Sequence, residues 1–163
     1  MRTENRSAKR YGIKRGITII YNKPFMDNIL LFSTRDELTR IRLEKVMYFE
    51  ADANYTRVVF VNGLTAMLLT SLVHLEELIS GVLIEKNSIF VRIGKRYIIN
   101  SAYLFQINVL RQRLVLSDMT STFTATLSVS KDALRKLKAL YTTPVRRVTP
   151  DAEGIAPTAK TDA

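Results

Sequence analysis

The chain has 163 residues, 47% hydrophobic and 25% charged, with no cysteine and a single histidine. That length suits one domain with tails, the balance supports a packed core, and the missing thiols exclude disulfides, thiolate metal sites and cysteine nucleophiles. Twenty-five Lys and Arg against fifteen Asp and Glu give a net charge of +10, which favours a polyanionic partner, nucleic acid before an anionic membrane surface.

Residues 1 to 26 read as a basic, flexible N-terminal arm, since residues 1 to 23 hold seven basic side chains and one acid, Glu4. Its apolar patch GITIIY, Gly16 to Tyr21, is expected as a short strand or turn against the body. No run approaches the roughly 20 apolar residues of a membrane span. The N-terminus also lacks the apolar core of a secretory signal, so the expected location is cytoplasmic.

Strand-like runs rich in β-branched and aromatic residues follow at Asn28 to Phe32, Leu38 to Leu43, Val46 to Ala51 and Tyr55 to Val61. Asn62-Gly63 signals a hairpin with positive φ at both central residues, returning through Leu64 to Leu69. The spacing of Leu72, Leu75, Leu78 and Ile79 predicts a helix over 71–83, capped by Ser71 and ended at Gly81. Further strands are expected at Ile89 to Ile93, Tyr97 to Ile99, Tyr103 to Val109, Arg113 to Leu116 and Phe123 to Leu127. A closing helix begins near Ser130, with Leu134, Leu137 and Leu140 as its apolar stripe. The tail, 142–163, has the Pro-rich, small-residue composition of a disordered end.

Signs of catalysis are thin. His74 sits mid-helix beside Glu76 and Glu77 and reads as an ordinary surface histidine. The glycines form no dinucleotide or phosphate loop. Glu50 and Asp52, two apart on one strand face, read as edge charges or as partners for nearby Arg or Lys. No enzyme activity, cofactor or metal site is expected. Three polar clusters at strand ends are more informative: DANYTR (Asp52 to Arg57), GKR (Gly94 to Arg96) and SVSK (Ser128 to Lys131). Each joins a short flexible backbone to hydrogen-bonding or cationic side chains suited to phosphate and base-edge contacts.

Placed in order, these segments resemble the LytTR family, the DNA-binding output domain of bacterial response regulators. LEKVMYFEADANYTRVVFVNG resembles its opening strand, turn and strand, and LLTSLVHLEELI its strand, cap and helix. IFVRIGKRYIIN resembles its central motif, and LSVSKDALRKLKALY its closing step into a helix. The resemblance spans 27–141. It implies a mainly β fold, a stack of small, mostly antiparallel sheets with about two peripheral helices.

The function implied is sequence-specific binding of duplex DNA by loops in the major groove, as a transcriptional regulator. The implied DNA-facing residues are Asn54, Thr56 and Arg57, then Lys95 and Arg96, then Ser130 and Lys131. Phe90, Arg92, Tyr97 and Asn100 are the implied framework, the two aromatics packing and the two polar residues satisfying backbone or carboxylate partners. The usual His-Arg-Ser of the central motif is Gly94-Lys95-Arg96 here, which exchanges a guanidinium fork for a point charge at the middle position. The implied partners are duplex DNA with repeated half-sites, a second protomer on that DNA and a separate signalling protein. The 26 residues ahead of the resemblance are too few to fold a receiver domain. Two alternatives stay open: an RNA-binding β module, which needs exposed aromatics on a sheet face, and a protein-interaction module with a basic arm.

Overall fold

The computed structural model describes residues 10–14, 17–20, 28–82 and 89–143. Among them the order is β1 (Arg10–Lys14), β2 (Ile17–Ile20), β3 (Ile29–Ser33), β4 (Leu38–Arg42), β5 (Val46–Asp52), β6 (Tyr55–Phe60), β7 (Thr65–Leu68), α1 (Leu72–Val82), β8 (Phe90–Ile93), β9 (Tyr97–Asn100), β10 (Leu104–Asn108), β11 (Arg113–Ser117), β12 (Thr124–Ser128) and α2 (Lys131–Thr142). The strands form three sheets, ordered β1-β2-β3-β4, β7-β6-β5-β9-β8 and β10-β11-β12, and every pairing is antiparallel. The mainly β, stacked-sheet architecture expected from the sequence is therefore the one observed. The patch at Gly16 to Tyr21 contains β2, which pairs with β3, so the first sheet crosses the expected arm boundary at residue 26. The tail from 144 onward lies outside the described residues.

The five-stranded sheet is the middle layer, and period-two alternation explains why it carries two cores. Phe49, Val58, Phe90 and Ile98 pack with Leu30, Phe32 and Ile41 of the first sheet and with Leu72, Leu75 and Ile79 of α1. Met47, Ile93, Tyr97 and Ile99 belong to the other core, with Leu114, Leu116 and Leu127 of the three-stranded sheet and Leu134 and Leu137 of α2. Phe49 and Met47, two apart on β5 and both fully buried, belong to opposite cores because the register against β6 shifts between Val46 and Tyr48, an irregularity that breaks the alternation there.

Three expectations need correcting. Helix α1 runs to Val82 rather than ending at Gly81. Leu140 leaves the apolar stripe of α2: it is 67% exposed, because the last turn of the helix extends past the core that holds Leu134 and Leu137. In the β6-β7 turn, Gly63 takes φ +83° whereas Asn62 does not adopt positive φ. Gly63 is needed there twice over, since a Cβ would also meet the Phe123 ring at 3.0 Å.

That contact is one of three that fix the orientation of the third sheet. Ser121 Oγ donates to the Val61 carbonyl at 2.9 Å, and the Tyr103 hydroxyl donates to the Glu44 carbonyl. All three pin the β11-β12 turn and the start of β10 to the end of the middle sheet where β5 begins and β6 ends. The β10-β11 turn and the β12-α2 junction occupy the opposite end of the third sheet.

Candidate nucleic-acid interface

The hairpin register brings the first two polar clusters to one sheet end. Asp52 faces Tyr55 across the two-residue turn Ala53-Asn54, and Tyr97, just after Gly94-Lys95-Arg96, faces Glu50. The Ala51 amide donates to the Arg96 carbonyl at 2.8 Å, which joins the two turns. Asn54, Lys95 and Arg96 are exposed there and Arg57 is half-buried. Gly94 adopts φ +58° with open space around it, a conformation that an L side chain reaches only at a cost.

Glu50 is the hub of this end. It is 8% exposed and lies on the sheet face shared by its direct cross-strand neighbours Arg57 and Tyr97. Arg96 donates to Glu50 Oε1 through Nε at 3.0 Å and through Nη2 at 2.7 Å. Arg57 Nη1 reaches Glu50 Oε2 at 3.4 Å, and its Nη2 donates to Asp52 Oδ2 at 2.9 Å. Two carboxylates thus hold two guanidinium groups in charge-assisted bonds. Arg96 also lies over the Tyr97 ring, 5.4 Å from its centroid, an arrangement that favours the cation. Among the described residues no hydrogen bond engages Arg96 Nη1. Burial, followed by the charge of Glu50, raises the pKa values of Tyr48 and Tyr97 above the usual phenol value.

Phe90 is buried with its ring centroid 5.6 Å from that of Phe49, and buried Tyr97 meets Tyr48 edge-on at 6.2 Å. Arg92 donates through Nε to the Gly94 carbonyl at 2.9 Å and through Nη2 to the Lys95 carbonyl at 3.1 Å, and it reaches Glu76 of α1 at 3.4 Å. One guanidinium therefore shapes the turn and ties it to α1. Asn100, 1% exposed, donates to the Val46 carbonyl and accepts from the Ala102 amide, both at 3.0 Å.

One assigned DNA-facing residue is not at the surface. Thr56 is completely buried and its hydroxyl donates to the Thr70 carbonyl at 2.7 Å. It shares the face of Val58 and Phe60, both part of the core beneath α1, so it belongs to the framework. Ser130 and Lys131 are exposed at the start of α2, where Ser130 caps the helix by accepting from the Ala133 amide at 3.3 Å. Among the described residues no hydrogen bond or ion pair links them to the other two turns. The sequence could have shown Glu50 as the partner of Arg57: the two flank Ala53-Asn54 symmetrically, and any hairpin turning there sets them face to face.

Among the described residues no group of acidic, histidine or cysteine side chains is arranged to hold a metal, and His74 instead lies 3.6 Å from Glu77. The family model for the LytTr DNA-binding domain matches residues 36–142. This chain belongs to the LytTr DNA-binding domain family. A similar solved structure is the LytTr DNA-binding domain of a Bacillus cereus protein described as a methyl-accepting/DNA response regulator. It is 22% identical, with a TM-score of 0.51, and the match covers 70% of this chain and 96% of that one. No curated protein matches the chain. The LytTr family is a DNA-binding family rather than an enzyme family, and no helix among the described residues is long and apolar enough to cross a membrane.

Proposed function

We propose that this LytTr domain is a sequence-specific duplex-DNA-binding transcriptional regulator that presents the turns at Ala53-Asn54 and Gly94-Arg96 to the major groove. The observation that carries this reading is the clamping of Arg96 and Arg57 on Glu50 and Asp52. A guanidinium fixed along one edge has its remaining donors aimed, and aimed donors discriminate base edges, whereas a freely rotating cation serves any phosphate. Asn54 and Lys95 flank these arginines as further contacts, and Ser130 with Lys131 forms a third contact at the head of α2. Two protomers on repeated half-sites complete the proposed complex.

The arrangement gives less support to the RNA alternative, because among the tyrosines at or beside the strands of the second and third sheets Tyr97 is buried and Tyr48 and Tyr103 are half-buried, which leaves Tyr55 as the exposed one. Selection of bound duplexes from a random DNA pool at near-physiological salt tests the proposal, since nonspecific attraction by a basic protein is weakened there. A recurring motif in the recovered duplexes is expected. Recovery of no sequence above background would reject base readout.

A further inference from the structure

The fold treats two groups of cations in this domain differently. At the end of the middle sheet, Arg57 and Arg96 are matched in number by Glu50 and Asp52, whereas Lys95 has no ion pair among the described residues. At the β10-β11 turn no such matching occurs. Arg111 and Arg113 flank Gln112, and all three are exposed. The turn is well defined: the Arg111 amide donates to Asn108 Oδ1 at 2.9 Å, Gln112 takes φ +53°, and its amide bonds to the Val109 carbonyl at 3.2 Å. The Val129 amide donates to the Gln112 carbonyl at 3.0 Å, and Arg113 faces Ser128 across the β11-β12 ladder. This turn is thereby joined to the step into α2, where Lys131 is exposed. Among the described residues, Arg111, Arg113 and Lys131 form no ion pair, and the adjacent Asp132 is taken by Arg135 at 3.1 Å.

We infer that Arg111 and Arg113 hold backbone phosphates of the same duplex beside Lys131, a contact surface additional to the three polar clusters read from the sequence. The inference rests on the proposed DNA-binding function and divides the labour within it. The carboxylate-clamped arginines orient donors toward bases, and the unclamped arginines of the β10-β11 turn supply sequence-independent attraction. A cation without a carboxylate partner releases a full counterion equivalent from DNA when it meets a phosphate, whereas one already neutralised releases less. The matched set thus costs little in nonspecific binding, while the unmatched set fixes register on the duplex.

The test is the salt dependence of binding by the full chain to a mixed-sequence duplex and to the best duplex from the selection, for wild type and for Arg111→Gln/Arg113→Gln. Glutamine keeps the side-chain stems and the exposed positions, and Arg111→Lys/Arg113→Lys controls for charge. Loss of two phosphate contacts should lower the slope of log affinity against log salt by about 1.8. Wild type should then lose roughly 12-fold more affinity than the Gln variant between 50 and 200 mM salt, on both duplexes alike. The Lys variant should retain the wild-type slope. An unchanged slope in the Gln variant overturns the inference while leaving the proposed function standing. A loss confined to the selected duplex makes these arginines base readers and overturns it as well. Absence of duplex binding by wild type at low salt rejects both.

Discussion

Thr56→Val separates the buried role of this residue from a DNA-facing one. The side chain is completely buried and its hydroxyl donates to the Thr70 carbonyl at 2.7 Å, so valine, nearly the same shape, leaves that acceptor without a partner. An orphaned buried acceptor costs about 1–3 kcal/mol, and the added apolar group returns about 0.8 kcal/mol. The net loss is therefore expected between about 0.2 and 2 kcal/mol and centred near 1 kcal/mol, which is about a 5-fold drop in the folded-to-unfolded ratio. With a urea m-value of about 1–3 kcal/mol/M, a loss near 1 kcal/mol should lower the unfolding midpoint by roughly 0.3–1 M. DNA affinity, measured where both proteins are fully folded, should stay at the wild-type value. Weaker DNA binding at unchanged stability would refute the reasoning and return Thr56 to the interface.

Glu50→Gln should release Arg96 and half of the hold on Arg57. Binding to mixed-sequence DNA should strengthen, its salt slope should steepen by up to about 0.9 per freed guanidinium, and preference for the selected site should fall; competition titrations at two salt concentrations would read this out. Asn100→Ala should destabilise the domain by about 2–4 kcal/mol, because the Val46 carbonyl and the Ala102 amide both lose their partner, which urea unfolding would register. Asp118 accepts from Thr120 and Ser121, bonds that hold its pKa down from the ordinary 3.8 to about 2. Since the folded value is the lower one, the stability it contributes is complete above about pH 4 and is lost as the pH falls toward 2. The gap in urea midpoint between wild type and Asp118→Asn should close across that window, and a gap constant from pH 5 to pH 2 would count against the assignment.

Much of this was legible in the sequence for local reasons. Enrichment in β-branched and aromatic residues marks β3 to β6, the Leu spacing marks α1, and the family resemblance implies backbone or carboxylate partners for Arg92 and Asn100, whose bonds lie around the Gly94 turn and at Val46. The motif position of Thr56 implies a DNA-facing side chain, but Thr56 has the parity of Val58 and Phe60, and in a two-fold repeat that decides the face. Glu50 was weighed as an edge charge or a partner for a nearby cation, but its burial depends on β9 pairing beside β5, across a long stretch of chain. The seating of the third sheet was not legible, since it rests on Ser121 reaching Val61 and Phe123 reaching Gly63. Neither contact leaves a periodic trace. Arg111 and Arg113 stood out only once the β10-β11 turn was joined to the head of α2.

Strand β5 has paired strands along both edges and a separate core against each face. Its central amides, at Tyr48, Phe49 and Glu50, where both edges are paired, can exchange with solvent only when the whole domain opens, and they should set the slowest exchange rates among the described residues. The turn after Asp52 and the carboxylate of Glu50 are carried by that strand. The face proposed to meet DNA is thus assembled before any encounter, and docking there requires little further ordering of the chain.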